Sequence, residues 1–286
     1  MKIEGIKRIA VIGAGTMGQG IAQVCAVGGY SVLLYDVQSE LITKAINSIK
    51  KSLHQSVEKG RLTANEAEQA ASRIALVSDF NQLQVDMAIE AVVEKLDVKQ
   101  RIFSELEKLN GKDCLFASNT SSIPITQISA ALKHPSRLAG LHFFNPAPAM
   151  KLVEIIKAAS TSNDIIQILE QFCKRISKHS VLTQDSPGFI VNRVARHFYV
   201  ESLKLLEEGV ADHQTIDALL KNTGFKMGPF ELMDLIGVDV NFSVTRSMYE
   251  SFHYDPKFRP SRIQQQKVDA GHHGRKSGKG FYDYNA

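Results

Sequence analysis

In the first two-thirds of the chain, short apolar runs rich in β-branched residues alternate with longer segments whose apolar positions recur at helical spacing. Such alternation is typical of βαβ units and predicts a parallel sheet flanked by helices. The clearest helices are predicted at residues 41–59 and 98–109. Strands are predicted at residues 8–12, 32–35, 74–77, 87–92, 115–117, 137–141 and 151–156.

The pattern changes at the segment Asp185-Ser186-Pro187-Gly188, beyond which strand-like runs fade and long amphipathic segments follow. Helices are predicted at residues 189–208 and 212–222, the second with Asp212 as its N-cap. We therefore expect two domains, residues 1–185 and 186–286, of which the second is entirely helical. The glycine-rich stretch 271–280 precedes a run of aromatic residues at 281–284, which predicts a loop that ends in an aromatic anchor.

The segment Gly13-Ala14-Gly15-Thr16-Met17-Gly18 has the glycine spacing of a dinucleotide-binding turn, and it lies between a predicted strand and a helix-like segment at 20–27. Gly13 permits a tight turn, Gly15 lets a pyrophosphate approach the backbone, and Gly18 lets the helix pack on the strand. The helix N-terminus offers free amides and the positive end of its dipole. We expect Gly13, Gly15, Thr16, Met17 and Gly18 to bind a dinucleotide in a Rossmann-like domain; a βαβ turn without a nucleotide is the alternative.

Asp36 ends the next predicted strand, 18 residues after Gly18. A carboxylate there accepts hydrogen bonds from the ribose hydroxyls and repels a 2′-phosphate, so NAD is expected rather than NADP. FAD is the other dinucleotide candidate, but the chain lacks the extra length that is usual for a flavin domain. The expected cofactor is NAD.

Composition narrows the class of protein. The 286 residues are 44% hydrophobic and 22% charged, which is ordinary for a globular protein and gives room for two domains. The net charge of +4 suits an anionic small molecule, although a solvated basic surface explains it equally well, and no RNA-binding motif is present. We expect no membrane span and no secretion signal. The three cysteines have no disulfide or metal-site spacing, which favours the cytoplasm.

Six further motifs occur in order along nearly the whole chain. They are Glu90-Ala91-Val92-Val93-Glu94, Ser118-Asn119-Thr120-Ser121-Ser122, His142-Phe143-Phe144-Asn145-Pro146, Lys151-Leu152-Val153-Glu154, Asp185-Ser186-Pro187-Gly188-Phe189 with Asn192-Arg193, and Gly274-Arg275-Lys276-Ser277-Gly278-Lys279-Gly280-Phe281-Tyr282. Together they resemble the motifs of the L-3-hydroxyacyl-CoA dehydrogenases, most closely the short-chain 3-hydroxybutyryl-CoA kind. The resemblance implies NAD-dependent interconversion of (S)-3-hydroxyacyl-CoA and 3-ketoacyl-CoA in fatty-acid or butanoate metabolism. It also implies a homodimer that associates through its helical domain.

The resemblance also implies the catalytic residues. His142, just after a predicted strand, matches the family's base for the 3-hydroxyl proton, and a neutral-range imidazole suits that step. Glu154 matches the carboxylate that orients this histidine and stabilises the imidazolium. Ser121 and Asn192 match the substrate-contacting serine and asparagine; a helix cap and a surface helix residue are their respective alternatives.

The resemblance assigns binding roles to further residues. The positions that match contacts to NAD are Glu94, Lys99, Asn119, Asn145 and Lys276. For Lys99 a solvated helix face, and for Lys276 a flexible basic tail, are the alternatives. Ser52 and Lys59 match positions near the CoA moiety, where Lys50 and Lys51 add positive charge, although a charge run is also typical of a solvent face.

Three other functions are alternatives to this one. Related dehydrogenases act without CoA on 3-hydroxyisobutyrate or gulonate. The first kind opens its helical domain with a lysine motif that residues 189–193 lack, and the second does not normally carry the His-Phe-Phe-Asn-Pro segment. An NAD-binding sensor without catalysis is the third, and the presence of His142 and Glu154 speaks against it.

Overall fold

The computed structural model describes residues 3–285. Two compact units make up the chain, Met1–Ser186 and Pro187–Ala286. No helix among residues 3–285 combines the length and the apolarity that a membrane crossing requires.

The first unit is an α/β domain with helices and strands in alternation. Its strands are β1 (Arg8–Ile12), β2 (Ser31–Tyr35), β3 (Ile74–Val77), β4 (Met87–Glu90), β5 (Leu115–Ser118), β6 (Leu138–Phe143), β7 (Leu152–Lys157) and β8 (His179–Gln184). Its helices are α1 (Thr16–Val27), α2 (Ser39–Glu58), α3 (Ala64–Ser72), α4 (Leu96–Leu109), α5 (Ile125–Ser129) and α6 (Asn163–Arg175).

The described strands form one sheet of eight in the order β3-β2-β1-β4-β5-β6-β7-β8. All neighbours are parallel except β6 and β7, which run antiparallel. The exception has a simple cause, because residues 144–151 between them are too few for the crossover that parallel neighbours need. The sheet is therefore Rossmann-like and dominated by parallel pairs, as expected, but it is not wholly parallel.

Several predicted strand limits are wrong. The strand predicted at residues 87–92 ends at Glu90 in the structure, and the Val92 amide donates a hydrogen bond to the Glu90 side chain. Strand 137–141 instead covers Leu138–Phe143, because pairing with β7 continues as far as Phe143 opposite Val153. β8 and α6 were not predicted; β8 lies at the sheet edge, is largely exposed, and has too few apolar residues to stand out.

The second unit is helical, with α7 (Val191–Glu207), α8 (His213–Asn222), α9 (Pro229–Ile236), α10 (Val238–Ser251) and α11 (Arg262–Asp269). The predicted start of α7 at residue 189 is wrong, because Phe189 has a left-handed φ of 50° that a helix does not accept. Asp212 caps α8 as predicted, accepting a hydrogen bond from the Thr215 amide.

The C-terminal aromatic anchor is confirmed. Phe281 is buried and its ring packs edge-on against Phe230 at a centroid distance of 4.8 Å. The Asp234 carboxylate accepts hydrogen bonds from the amides of Phe281 and Tyr282. These contacts tie the end of the chain to the helical core.

Candidate active site

The glycine-rich turn between β1 and α1 has the geometry of a phosphate-binding turn. Gly13 has a φ of 106°, and a Cβ on Gly18 would lie 1.7 Å from the Gly13 carbonyl oxygen, so neither position accepts a side chain. A Cβ on Gly15 would meet nothing within 4 Å. Gly15 also precedes the helix without a side-chain cap, and Thr16 and Met17 form its first turn. Open backbone at a helix N-terminus is what a pyrophosphate requires.

Asp36 follows β2 and lies against this turn. Its Oδ2 accepts a hydrogen bond from the Ala14 amide at 2.8 Å, and its Oδ1 accepts one from the Gln38 amide at 3.0 Å. The carboxylate is thereby held beside the turn at the carboxyl ends of β1 and β2, where a parallel sheet presents a nucleotide.

His142 and Glu154 are opposite each other across the antiparallel strands β6 and β7. His142 Nδ1 lies 2.8 Å from Glu154 Oε2, and the two side chains are 7% and 0% exposed. The histidine lies inside β6, not beyond its end as the sequence had predicted. A buried carboxylate at this distance fixes the ring orientation and favours the tautomer with its proton on Nδ1.

The loop that follows β6 is held by Lys178, a residue that sequence reasoning missed. Its Nζ donates hydrogen bonds to the carbonyl oxygens of Ala147 and Met150 at 2.6 and 2.7 Å. Burial lowers the pKa of this amine from its ordinary value. A lysine just before an edge strand gives no sequence signal for such a role.

Two glutamates and a buried lysine organise the neighbouring loops. Lys99 is 1% exposed, and its Nζ lies 2.6 Å from Glu90 Oε1 and 3.2 Å from Glu94 Oε2. Lys99 therefore does not lie on a solvated helix face, and that alternative is wrong. Glu90, which was not predicted as a site residue, also accepts a hydrogen bond from Ser118 Oγ at 2.6 Å.

Glu94 anchors the loop that carries Ser121. Its Oε1 accepts hydrogen bonds from Thr120 Oγ1 at 2.6 Å and from the amides of Ser121 and Ser122 at 3.0 and 3.1 Å. Burial by itself raises the pKa of Glu94. The charge of Lys99 and the hydrogen bonds from the Thr120, Lys99 and Ser122 side chains outweigh it and lower the pKa below its ordinary value.

Ser121 does not cap a helix, so that alternative is wrong. Helix α5 begins at Ile125, and the Asp185 carboxylate accepts hydrogen bonds from the amides of Ile125 and Thr126. Asn119 sits between β5 and this loop, and its Oδ1 accepts a hydrogen bond from the Phe143 amide at 2.8 Å. That bond joins the Ser121 segment to the strand that carries His142.

A cavity of about 520 Å³ opens between α1, α2 and the loop after β6. Its lining includes Thr16 of the dinucleotide turn, Ser52 and Lys59 of α2, and Asn145. Residues that the sequence assigned to the cofactor and to CoA thus line one cavity. Lys50 and Lys51 are exposed and are not among the lining residues.

Two residues predicted to contact the substrate or the cofactor belong to the second unit. Asn192 is the second residue of α7 and is partly buried. Lys276 lies in a short 3₁₀ helix, and its Nζ pairs with Asp239 Oδ2 at 2.7 Å. The tail around Lys276 is tied by bridges between Gly274 and Lys279 and between Lys279 and Asp283.

The fold and the glycine-rich turn define a Rossmann-type dinucleotide-binding protein. Residues 8–186 match the model of the 3-hydroxyacyl-CoA dehydrogenase NAD-binding domain, and residues 188–284 match that of the 3-hydroxyacyl-CoA dehydrogenase C-terminal domain. The chain therefore belongs to the 3-hydroxyacyl-CoA dehydrogenase family, whose cofactor is NAD.

The chain is 47% identical to the 3-hydroxyadipyl-CoA dehydrogenase of Escherichia coli K12, covering 98% of this chain but only 60% of that protein. It is 39% identical to the 3-hydroxybutyryl-CoA dehydrogenase of Bradyrhizobium diazoefficiens, covering 98% of this chain and 96% of the relative. The crystal structure of (S)-3-hydroxybutyryl-CoA dehydrogenase from Ralstonia eutropha superposes with a TM-score of 0.93 at 37% identity, covering 98% of this chain and 99% of that one.

Proposed function

We propose that the chain catalyses the NAD-dependent oxidation of (S)-3-hydroxyacyl-CoA to 3-ketoacyl-CoA and the reverse reduction. The observation that carries the proposal is the buried pair of His142 and Glu154, 2.8 Å apart across β6 and β7. Removing a hydroxyl proton at neutral pH requires a base such as imidazole, and the buried carboxylate stabilises the positive charge that the ring gains.

In the oxidation, His142 takes the proton of the 3-hydroxyl. With the proton of the neutral ring on Nδ1 toward Glu154, the lone pair that accepts this proton is on Nε2. NAD held at the glycine-rich turn and Asp36 would supply the acceptor for the hydride that leaves C3. In the reduction His142 returns the proton to the oxygen on C3.

Ser121 and Asn192 are proposed to hydrogen-bond the 3-oxygen and the thioester carbonyl. A hydroxyl and an amide stabilise the charge that develops on these oxygens. Support for Ser121 comes from Glu94, whose carboxylate holds the Ser121 amide and so fixes the loop. For Asn192 the support is its place at the start of α7 and its match to the family motif.

The proposed NAD contacts begin at the glycine-rich turn, with Asp36 on the ribose. Glu94, Lys99, Asn119, Asn145 and Lys276 are proposed to act on the nicotinamide side. Asn119 is supported by its hydrogen bond to the Phe143 amide, next to His142. For Lys99 and Lys276 a cofactor contact requires the amine to share or exchange its present carboxylate partners.

Ser52 and Lys59 are proposed to contact CoA from the cavity wall formed by α2. Lys59 is exposed and supplies a positive charge for a phosphate, while the Ser52 hydroxyl supplies a donor. The relatives' names include both 3-hydroxybutyryl-CoA and 3-hydroxyadipyl-CoA dehydrogenases, so a short acyl chain is proposed.

The test is the oxidation of NADH, followed at 340 nm, with acetoacetyl-CoA, and separately with free acetoacetate and with NADPH. We expect turnover with the thioester and NADH, and little with the free acid or NADPH. Turnover of free acetoacetate as fast as the thioester would favour a hydroxy-acid dehydrogenase that needs no CoA.

A homodimer through the helical unit is also proposed. Ten of the 17 exposed large apolar residues among those described lie in the smaller, second unit, including Val194 at 69%, Leu219 at 62% and Phe225 at 52% exposure. An exposed apolar surface of this kind is typical of subunit interfaces. Size-exclusion chromatography with light scattering is expected to give a dimer at micromolar concentration, and a monomer would contradict the proposal.

Fatty-acid or butanoate metabolism in the cytoplasm is the proposed setting. Cys25, Cys114 and Cys173 are buried free thiols, which supports a reducing compartment.

A further inference from the structure

Glu90, Glu94 and Lys99 form a charge cluster within the first unit, where β4 ends and α4 begins. Lys99 Nζ lies 2.6 Å from Glu90 Oε1 and 3.2 Å from Glu94 Oε2. Among the residues that the structure describes, Lys99 is the only cation paired with either carboxylate. Two carboxylates and one ammonium leave the cluster with an excess of one negative charge.

The excess charge lies at Glu94, the outer member of the cluster. The side chains of Lys99 and Glu90 are 1% and 0% exposed, whereas that of Glu94 is 37% exposed. The buried pair has the shorter contact and no water around it, so its two charges compensate each other most strongly. Despite partial burial, the charge of Lys99 lowers the pKa of Glu94, so this carboxyl is ionised at neutral pH.

The cluster lies along the sheet edge between the dinucleotide turn and the proposed base. Asp36 follows β2, the turn follows β1, the cluster follows β4, and His142 lies near the end of β6. A Cβ on Gly13 would lie 2.5 Å from the Ala91 carbonyl oxygen, so the loop after β4 touches the turn. On the other side, the Asn119 amide donates a hydrogen bond to the last carbonyl oxygen of β4 at 2.8 Å.

This position is where the nicotinamide half of the cofactor is expected. A dinucleotide lies across the carboxyl ends of a Rossmann sheet, and with its adenosine ribose at Asp36 and its pyrophosphate at the turn, the other half extends toward β4. Hydride transfer to or from a carbon whose oxygen contacts His142 requires the ring on that side. The ring carries a positive charge in NAD⁺ and none in NADH. A negative charge beside it therefore stabilises the oxidised form more than the reduced form.

We propose that the excess negative charge at Glu94 makes the site favour NAD⁺ over NADH, with Glu90 and Lys99 as positioning residues that hold this carboxylate in place. The inference rests on the proposed function. Thr120 Oγ1 donates a hydrogen bond to Glu94 Oε1 at 2.6 Å, which fixes the carboxylate without neutralising it. A bias of this kind makes bound NADH a stronger hydride donor and favours reduction of the 3-keto group on the enzyme.

The test measures the dissociation constants of NAD⁺ and NADH separately, by isothermal titration calorimetry on the full chain at pH 7 without substrate. The compared quantity is the Kd for NADH divided by the Kd for NAD⁺. We expect Glu94→Gln to lower this ratio about tenfold, the effect of a single charge a few ångströms away near a protein surface. Disorder of the loop would weaken both forms alike and leave the ratio unchanged. Glu94→Asp keeps the charge and should keep the ratio.

Two further variants separate the loss of charge from the loss of order. Lys99→Met also loosens Glu94, but it removes a positive charge, so the ratio should not fall. Glu107→Gln is the matched control, because Glu107 is a largely buried carboxylate of the same helix α4 that pairs with Arg137 at 2.9 Å. It should leave the ratio at the wild-type value.

A ratio that Glu94→Gln leaves unchanged, or that Lys99→Met lowers as much as Glu94→Gln does, overturns the inference. If Glu94→Gln fails to fold, Glu90→Gln removes the same unit of charge from the cluster and decides in its place. Because no substrate is present, absence of thioester turnover overturns the proposed function but not a ratio that shifts as expected. A chain that binds neither form of the cofactor overturns both.

Discussion

Replacing Glu154 by glutamine tests the carboxylate that holds His142. Glutamine has the same shape and still offers an oxygen to His142 Nδ1–H, so the hydrogen bond survives and only the negative charge is lost. At 2.8 Å and an effective dielectric constant of about 20, the charge stabilises a full imidazolium by about 6 kcal/mol. If roughly half of that charge has developed in the transition state, the barrier to oxidation rises by about 3 kcal/mol, which is about 100-fold in kcat.

The assay is the steady-state oxidation of (S)-3-hydroxybutyryl-CoA at saturating NAD by wild type and Glu154→Gln. We expect kcat to fall about 100-fold, while the KM for NAD changes by less than about threefold, because Glu154 lies away from the dinucleotide turn. Glu68→Gln, on the exposed surface of α3, is the matched control and should match the wild type. A Glu154→Gln enzyme that folds normally and loses less than about threefold in kcat would refute the assignment of Glu154.

Three further substitutions test other contacts of the first unit. Asp36→Asn removes the charge that repels a 2′-phosphate, so the ratio of kcat/KM for NADPH over NADH should rise about tenfold; an unchanged ratio would contradict the ribose contact. Lys178→Met leaves two loop carbonyls without their donor and should lower the free energy of unfolding by about 1–3 kcal/mol in urea titrations. Because burial lowers the pKa of Lys178, the wild type should also gain stability as pH rises from that lowered pKa toward 10.5, and Lys178→Met should lack this rise. Because the pKa of Glu94 is lowered in the folded protein, its ionised carboxylate stabilises the fold above pH 4.5, and this stabilisation is lost as pH falls through the lowered pKa. The free energies of unfolding of wild type and Glu94→Gln should therefore differ at pH 7 and converge in acid. A difference that persists at pH 2 would point to packing instead.

The α/β order of the first unit could be predicted from the sequence because buried parallel strands are continuous apolar runs. The strand at 8–12 and the turn from Gly13 to Gly18 are where the pattern placed them. The edge strand β8 could not be predicted from the sequence. It pairs with only one neighbouring strand and is largely exposed to solvent, so its sequence needs few apolar residues.

The contact between His142 and Glu154 depends on the register of β6 and β7, which the separation of 12 residues does not specify. Only the resemblance to the family's motifs predicted that His142 and Glu154 form a pair. Lys178 and Glu90 were not predicted as site residues. Lys178 stands in no motif, and it acts through contacts with residues distant in sequence. Glu90 opens the quoted motif Glu90-Ala91-Val92-Val93-Glu94, but its contacts with Lys99 and Ser118 depend on the fold and not on the motif.

The most direct test of the central claim is the reduction of acetoacetyl-CoA by NADH with wild type and His142→Ala, with NADH binding measured on both by fluorescence. We expect rapid turnover by the wild type, a loss of at least about 100-fold in kcat for His142→Ala, and equal NADH affinity. A His142→Ala protein that binds NADH normally and turns over at the wild-type rate would contradict the assignment of His142 as the acid–base group.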